Sequence, residues 1–396
     1  MGVQADHRPG AELLAGRTVA YVLSGYPVLS QTFVRDEVAT MRAAGVDVDV
    51  TAVAGGDGDR IPLAWSGPFR DATHVSPLAA LRDGLWWLAR PRAVLRLLRV
   101  FLAGGRASPK SLALGVPTIA RRLAGRDVQV LHTHFGWRAM MPTVYVGALL
   151  GRPVSVTLHA ADIYLAPPSF ARRLSTVDQV VTVCDYNVDR IAALGVPRER
   201  IAVVPCGVDV DVPVVPIADP LLVVSVGRLV AKKGYDVLLP AFREVVDRVP
   251  GARLEIVGEG PEQDAVHALA TELGLDDHVT FLGARPHAES LARIADAAVF
   301  TLACRISENG DSDAMPVSLR EAMVRARPVV TTAVAGIPEN VDDEVGWVVP
   351  PGDVDALADA LVEALTDRSE AERRALAARR RQVAHYSLER SAATLA

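Results

Sequence analysis

The sequence predicts an α/β protein of two doubly wound, Rossmann-like domains, each built on a parallel sheet. Two observations carry this. Short apolar runs alternate with amphipathic helical stretches, the pattern of βαβ units. The alternation stops at a proline-rich stretch near residue 210 and then restarts. Length agrees, because 396 residues fill two to three domains at about 150 residues each.

Residues 1–16 have no basic segment followed by an apolar run, and they read as a flexible leader rather than a signal peptide. The first domain is expected over 17–206. Its strands fall at 18–23, 46–53, 128–132, 154–158, 179–183 and 201–204, with a helix over about 32–44 between the first two. Four prolines lie between Pro205 and Pro220, and 207–220 reads as a linker. The second domain covers 221–385. Strands are expected at 221–226, 253–257, 279–282, 298–302 and 328–332, and helices at about 235–249, 354–366 and 370–385. Pro240 falls inside the first of these helices and predicts a kink or a later start. The last segment, 386–396, is expected to cross back onto the first domain. Ligands of doubly wound sheets bind beyond the carboxyl ends of strands. Two such domains facing each other across a cleft would place the chemistry in the loops that follow strands.

Composition narrows the class. Half of the residues are hydrophobic and 22% are charged, which supports large cores. A net charge of -5 argues against a nucleic-acid binder. Cys184, Cys206 and Cys304 are an odd number with no C-x-x-C pair. They fit a thiol-reducing cytoplasm. No run of 18 apolar residues predicts a transmembrane helix. Arginine outnumbers lysine 39 to 3, as in a GC-rich genome, yet Lys232 and Lys233 stand side by side.

That pair belongs to the first chemical motif. A predicted strand ends at Gly227, and Arg228 and Lys233 follow before a helix. Glycine lets backbone approach a ligand, arginine offers a fork for phosphate oxygens and lysine a point charge. A solvated basic loop is the bland alternative, and the scarcity of lysine elsewhere weighs against it. The second motif runs from Asp311 to Met323. Pro316 suits a first helical position, and Leu319, Ala322 and Met323 make a core-facing stripe. The N-terminus of that helix would offer N–H groups to an anion. Asp313 and Glu321, eight residues apart, are acceptors for hydroxyls; read alone, they are an N-cap and a surface acid. In the first domain, His134 and His159 follow or end apolar strands. Both suit strand-end structural roles, or contacts at the cleft. A metal site lacks a third ligand at suitable local spacing.

Taken together, these segments resemble glycosyltransferase family 4, retaining enzymes of the GT-B fold. The resemblance runs from about residue 19 to 395. It implies that Arg228 and Lys233 hold the diphosphate of a nucleotide sugar. It implies that Asp313 contacts the donor sugar and that Glu321 holds the ribose. In the family's two-acid segment the first acid is Glu and a Gly follows it. Here Asp313 and Ala314 stand instead, which bears on the sugar accepted. Ala314, Met315, Pro316 and Val317 would turn backbone to the phosphates. Gly227 and Gly258 match glycine loops of the family. Gly283 matches a strand end, and the residues after it, Arg285 among them, would meet the base. A partial G-x-G-x-x-G at 258–263 lacks its third Gly, which leaves dinucleotide binding a weak reading.

The first domain resembles the branch that makes exopolysaccharides such as colanic acid and amylovoran. The segments carrying this are 24–33, 131–136, 157–164 and 184–187. By resemblance His159 lies near the reaction centre and Asp162 orients its loop. The 25–32 loop, with Gly25, Tyr26 and Gln31, would lie close to the diphosphate or the acceptor, and His134 on the acceptor side. The implied mechanism is front-face transfer from a nucleoside diphosphate sugar, UDP favoured. No cofactor and no divalent metal are expected, although Asp311-Ser312-Asp313 formally matches the metal signature of a different glycosyltransferase fold.

Implied partners are the nucleotide sugar and an acceptor. The acceptor is a sugar, a lipid-linked glycan or a small natural product such as an aminocyclitol. Residues 78–106 hold Trp86, Trp87, Arg82, Arg90, Arg92, Arg96 and Arg99 among leucines. They fit either a peripheral membrane contact or a helical excursion packed on the first sheet. The competing functions are a nucleotide-sugar epimerase on the same fold and a non-catalytic binding protein. A nicotinamide oxidoreductase is disfavoured by the missing Gly. Oligomeric state is not readable.

Overall fold

The computed structural model describes residues 16–28, 31–53, 56, 69–72, 75–104 and 115–395. The leader before Gly16, residues 29–30 of the 25–32 loop and residues 105–106 of the arginine-rich stretch lie outside them. The chain divides into two compact units, one of residues 1–183, 187–207 and 388–396, the other of 184–186 and 208–387.

The first unit holds β1 (Thr18–Leu23), β2 (Asp47–Ala52), β3 (Arg70–Asp71), β4 (Val130–His134), β5 (Val154–Leu158), β6 (Gln179–Thr182) and β7 (Ile201–Val203). They form one sheet in the order β3-β2-β1-β4-β5-β6-β7, and each pairing is parallel. Alternate residues of a strand face opposite ways, and β1 shows the consequence. Ala20 and Val22 join a core with Met140, Val144 and Leu149. Val19, Tyr21 and Leu23 join a second core with Val34, Val38 and Met41. Helix Thr32–Ala43 covers the second core, and helix Leu388–Leu395 packs against it. Ala392 is buried there, and Ser391 Oγ donates to the Pro205 carbonyl at 2.7 Å.

The second unit holds β8 (Asp219–Val226), β9 (Arg253–Val257), β10 (Val279–Gly283), β11 (Ala297–Leu302), β12 (Val329–Thr332) and β13 (Trp347–Val349). The order is β10-β9-β8-β11-β12-β13, again parallel throughout. Helices Tyr235–Arg248 and Val354–Thr366 cover one face, and Val317–Val324 and Arg368–His385 the other. Both sheets reverse direction of growth beside their first strand, at β1/β4 and at β8/β11. Those are the switch points where doubly wound sheets bind ligands.

Three expectations shift. β4 runs two residues later than predicted, so His132 and His134 lie inside the strand. Their rings find buried partners, which lets the strand continue through polar residues. Helix Tyr235–Arg248 starts ahead of Pro240 and continues through it, so no later start occurs. Pro316 is the N-cap rather than the first helical residue of Val317–Val324.

Candidate active site

In the second unit the residues after β8 and β11 converge. Gly234 adopts φ 67°, and a Cβ there would stand 1.8 Å from the Ala303 carbonyl oxygen. The close approach of these two loops therefore requires glycine. It brings Lys233 Nζ to 2.6 Å from Asp313 Oδ2, and Lys232 Nζ to 3.2 Å from Asp311 and 3.5 Å from Asp313. Burial alone would lower the Lys233 pKa, but the Asp313 charge outweighs it and raises the value. Burial would raise Asp313, but Lys233 and Lys232 hold it below the usual carboxylate range. The pair is therefore ionised at neutral pH. Burial pushes the neighbouring Cys304 thiol up to about 12, so it remains neutral.

Arg228 is exposed and, among the described residues, has no carboxylate partner. Helix Val317–Val324 has no side-chain cap. No protein acceptor meets the N–H of Ala314, Met315 or Val317 among the described residues. Ser318 Oγ fastens this helix to the Val226 carbonyl at 2.9 Å. Two free cationic or N–H-rich elements thus border one strand end, which is an anion-binding arrangement. Glu321, one turn into the helix, meets His287 Nε2 at 2.6 Å.

In the first unit a chain of hydrogen bonds runs through the ends of β4 and β5. Tyr21 Oη donates to Glu37 Oε1 at 2.7 Å, and His134 Nε2 lies 3.0 Å from the same oxygen. His134 Nδ1 lies 3.1 Å from His159 Nε2. Phe33 and Phe135 flank the His159 ring at 4.8 and 4.5 Å between centroids. Phe135 has φ 67°, a strained conformation for a bulky residue. Asp162 Oδ2 accepts the His159 amide and Oδ1 the Gly136 amide, each at 2.9 Å. Burial would raise Glu37, but His134 and His132 bring its carboxyl below the ordinary range. Burial and the neighbouring His134 and His132 push His159 well below its ordinary value.

These observations meet the family comparisons at one point. Residues 212–381 match the model of "Glycosyl transferases group 1", and residues 30–212 match "Glycosyltransferase Family 4". WcaL of Escherichia coli, named for colanic acid biosynthesis, is 30% identical over 364 residues, covering 87% of this chain and 89% of WcaL. The chain belongs to glycosyltransferase family 4. A further member, the GDP-mannose-dependent alpha-(1-6)-phosphatidylinositol monomannoside mannosyltransferase of Mycolicibacterium smegmatis, is 31% identical over 71% of this chain and 78% of its own. The crystal structure of Anabaena Alr3699/HepE with UDP-glucose shares the fold, with a TM-score of 0.71 at 17% identity over 94% of this chain and 96% of the other. The chain is thus a glycosyltransferase with the two-sheet GT-B architecture.

The placement of the predicted residues in this family 4 enzyme is uneven. Lys233 and Asp313 pair beside the β8/β11 switch point, Arg228 follows the end of β8, and Ala314, Met315 and Val317 lead into the helix that Ser318 ties to Val226. Glu321 lies a turn further on against His287, and Pro316 has no N–H to offer. A Cβ on Gly258 would meet the Gly227 carbonyl oxygen at 1.9 Å, so that glycine serves the packing of two loops. Gly283 ends β10, and Glu259 accepts the Ala284 amide at 3.2 Å, which holds the exposed Arg285 loop. Gly25 and Gln31 flank the β1 turn. Tyr26 departs from expectation: its ring is buried in the core against Phe69, because the turn after β1 folds it under helix Thr32–Ala43.

Sequence reasoning missed Glu37, His132 and His287. Nothing in the residue order around Glu37 marks it, and only the fold brings it to His134. Glu37, His132 and His134 place candidate ligand atoms within 4.8 Å of one another, the third group that local spacing did not supply. Their nitrogens are already engaged: His132 Nδ1 with Ser155 at 2.7 Å and Nε2 with Thr157 at 3.1 Å. The cluster reads as a hydrogen-bonded network. Asp311 and Asp313 likewise face lysines.

Acid should loosen the first unit. Burial, and then His134, lower His132 to about 3, against about 6.5 unfolded. A depressed histidine contributes stability that is present above the unfolded pKa and lost as pH falls. At pH 5 the loss from His132 is about 2 kcal/mol, and His159 acts in the same direction. Asp162, raised by burial to about 6, opposes this by about 1 kcal/mol over the same range. Urea unfolding followed between pH 7 and 5 should show a net loss of stability, and His132→Asn should flatten the slope.

Proposed function

We propose that the enzyme transfers a hexose or amino-hexose from a nucleoside diphosphate sugar to a hydroxyl of an exopolysaccharide or cell-envelope intermediate, retaining the anomeric configuration. The observation that supports this most is the cationic switch point of the second unit: exposed Arg228, Lys233 and an uncapped helix N-terminus at one strand end. A diphosphate bound there takes over Lys233, which frees Asp313 to accept from a sugar hydroxyl. Glu321 turns from His287 to the ribose.

The acceptor hydroxyl attacks the anomeric carbon from the face of the leaving group. A carbon–oxygen bond to the acceptor forms as the bond to the β-phosphate oxygen breaks. The electron pair goes to that oxygen, which also takes the hydroxyl proton. Arg228, Lys233 and the helix N–H groups stabilise the charge that develops on the diphosphate. They do so without a divalent cation or a resident cofactor in the scheme.

His159 is proposed to contact the reacting sugar, with Glu37 and His134 as its positioning residues. Ionised Glu37 accepts from His134 Nε2–H. His134 then accepts at Nδ1, so His159 donates from Nε2 and its Nδ1 accepts the Asp162 amide at the start of helix Ala160–Tyr164. The half-buried Glu37 carboxylate thereby fixes the tautomer and orientation of the His159 ring.

UDP is proposed as the carrier, as in the HepE complex, with GDP as the competitor raised by the mannosyltransferase relatives. A nucleotide-sugar donor places the enzyme in the cytoplasm under this reading. Among the described residues no helix is long and apolar enough to cross a membrane. Thermal unfolding with UDP, GDP, ADP and NAD at equal concentration tests the donor site. A ligand at 100 times its Kd should add about 2.7 kcal/mol. One nucleoside diphosphate should raise Tm, and a shift with NAD alone would overturn the reading.

A further inference from the structure

Helices Pro77–Leu88 and Pro91–Leu102 of the first unit turn leucines outward. Leu78, Leu81, Leu85 and Leu88 are 80%, 61%, 58% and 67% exposed and recur at helical spacing on one stripe. Leu95, Leu98, Phe101 and Leu102 continue the pattern on the second helix, with Leu102 at 74%. The sequence left open a membrane contact through this stretch or its packing on the first sheet, and the structure shows what each residue does. Trp87 is buried, its Nε1 donating to the Pro117 carbonyl at 3.0 Å. The Arg90 guanidinium lies 3.1 Å over the Trp86 ring. Arg96 caps helix Met140–Leu150 through the Ala148 and Leu149 carbonyls at 2.7 and 2.9 Å. What faces outward is leucine, with Arg82, Arg92 and Arg99 beside it.

Charge says what covers this face. The two helices hold one acid, Asp83, which is buried and bound to Arg82. Arg92 and Arg99 have no carboxylate partner among the described residues. Behind the second helix lies a cavity of about 370 Å³ lined by Arg90, Arg92, Arg96, Arg126 and Arg152. Arg126 is paired with Asp47 and Asp49 and Arg152 with Asp127, which leaves Arg92 as the arginine of its wall without a carboxylate or carbonyl partner among the described residues. A second copy of the chain, related by a two-fold axis, would oppose the same arginines to themselves. A bilayer bearing phosphate complements both features, since leucines enter the acyl boundary while arginines meet headgroups.

We propose that helices Pro77–Leu88 and Pro91–Leu102 dock the enzyme on an anionic lipid surface, with the arginine-lined cavity receiving a lipid phosphate. The surface stands independently of the donor reading, and it narrows the acceptor of that reading to a lipid-linked one.

Cosedimentation of the full chain with vesicles of phosphatidylcholine, with and without phosphatidylglycerol, tests it. Binding is expected to the mixed vesicles, little to phosphatidylcholine alone, and less at high salt. Leu85→Asp with Leu98→Asp should abolish it, and Arg92→Glu with Arg99→Glu should weaken it on the order of tenfold or more. Both variants should keep the wild-type Tm and its response to nucleoside diphosphate, which separates failure here from failure of the donor site. Equal binding to both vesicle types, or binding indifferent to both variants, overturns the proposal. So does a dimer by light scattering that Leu85→Asp dissolves. Stabilisation by inorganic phosphate without vesicle binding would assign the cavity to a free anion and overturn it too.

Discussion

Lys233→Ala should lower the rate of glycosyl transfer about 10²–10³-fold, the effect of removing one preorganised charge from a developing oxyanion. The ammonium is nearly buried beside Asp313, where it is little screened by water. The loss should fall mainly on kcat, because the charge on the leaving diphosphate grows as the bond breaks. A structural cost comes with it. Asp313 would keep Lys232 at 3.5 Å and the Cys304 thiol at 3.8 Å, and breaking a buried pair costs about 3–5 kcal/mol when no second cation remains. Lys233→Ala with Asp313→Ala should therefore regain stability without regaining activity. Lys233→Arg keeps the charge on a larger fork and should be intermediate. Steady-state rates alongside urea unfolding check all three, and a Lys233→Ala enzyme of wild-type rate would remove this residue from the mechanism.

Glu37→Gln should reduce kcat by about ten- to a hundredfold, on the scale seen when an outer-shell carboxylate that orients a metal-bound histidine is lost. The amide keeps the shape of the chain but can turn either its oxygen or its NH2 to His134 Nε2, so the His134 tautomer is no longer fixed and His159 loses its defined order of donor and acceptor. The Michaelis constant for the nucleotide sugar should stay near wild type, because Glu37 lies in the first unit and the diphosphate residues in the second. The pH profile of kcat should also change, which a packing defect alone would not produce. Glu37→Ala adds a stability loss of about 1–3 kcal/mol, since Tyr21 and His134 both lose their acceptor. An unchanged pH profile in Glu37→Gln would contradict the proposed positioning role.

What the sequence disclosed follows from how local each feature is. Gly227 to Gly234 and Asp313 to Glu321 are continuous segments, so a strand end, a cationic loop and a helix start were legible from residue order. The parallel sheets were legible because buried strands read as short apolar runs, yet β3, only two residues long, has no such run. The first-unit chain was half legible. His134 and His159 stood out at strand ends, but Glu37 lies 97 residues from His134 and nothing in its neighbours along the chain marks it. Tyr26 was read as an acceptor contact and is core, because nothing in the order of residues shows which way a turn folds its ring. For Trp86 and Trp87 the sequence left both directions open: they pack inward, and the leucines that ordinarily fill a core lie outside.

Transfer itself is the decisive observable. Labelled hexose supplied as UDP- and GDP-sugars, with lipid-extracted glycan intermediates as acceptors, should become incorporated with release of an equal amount of nucleoside diphosphate. The new linkage should keep the donor's anomeric configuration by proton coupling, and Lys233→Ala should suppress both signals together. A nucleotide sugar recovered with an inverted ring carbon and no incorporated label would instead reveal an epimerase, and would contradict glycosyl transfer as the activity of this site.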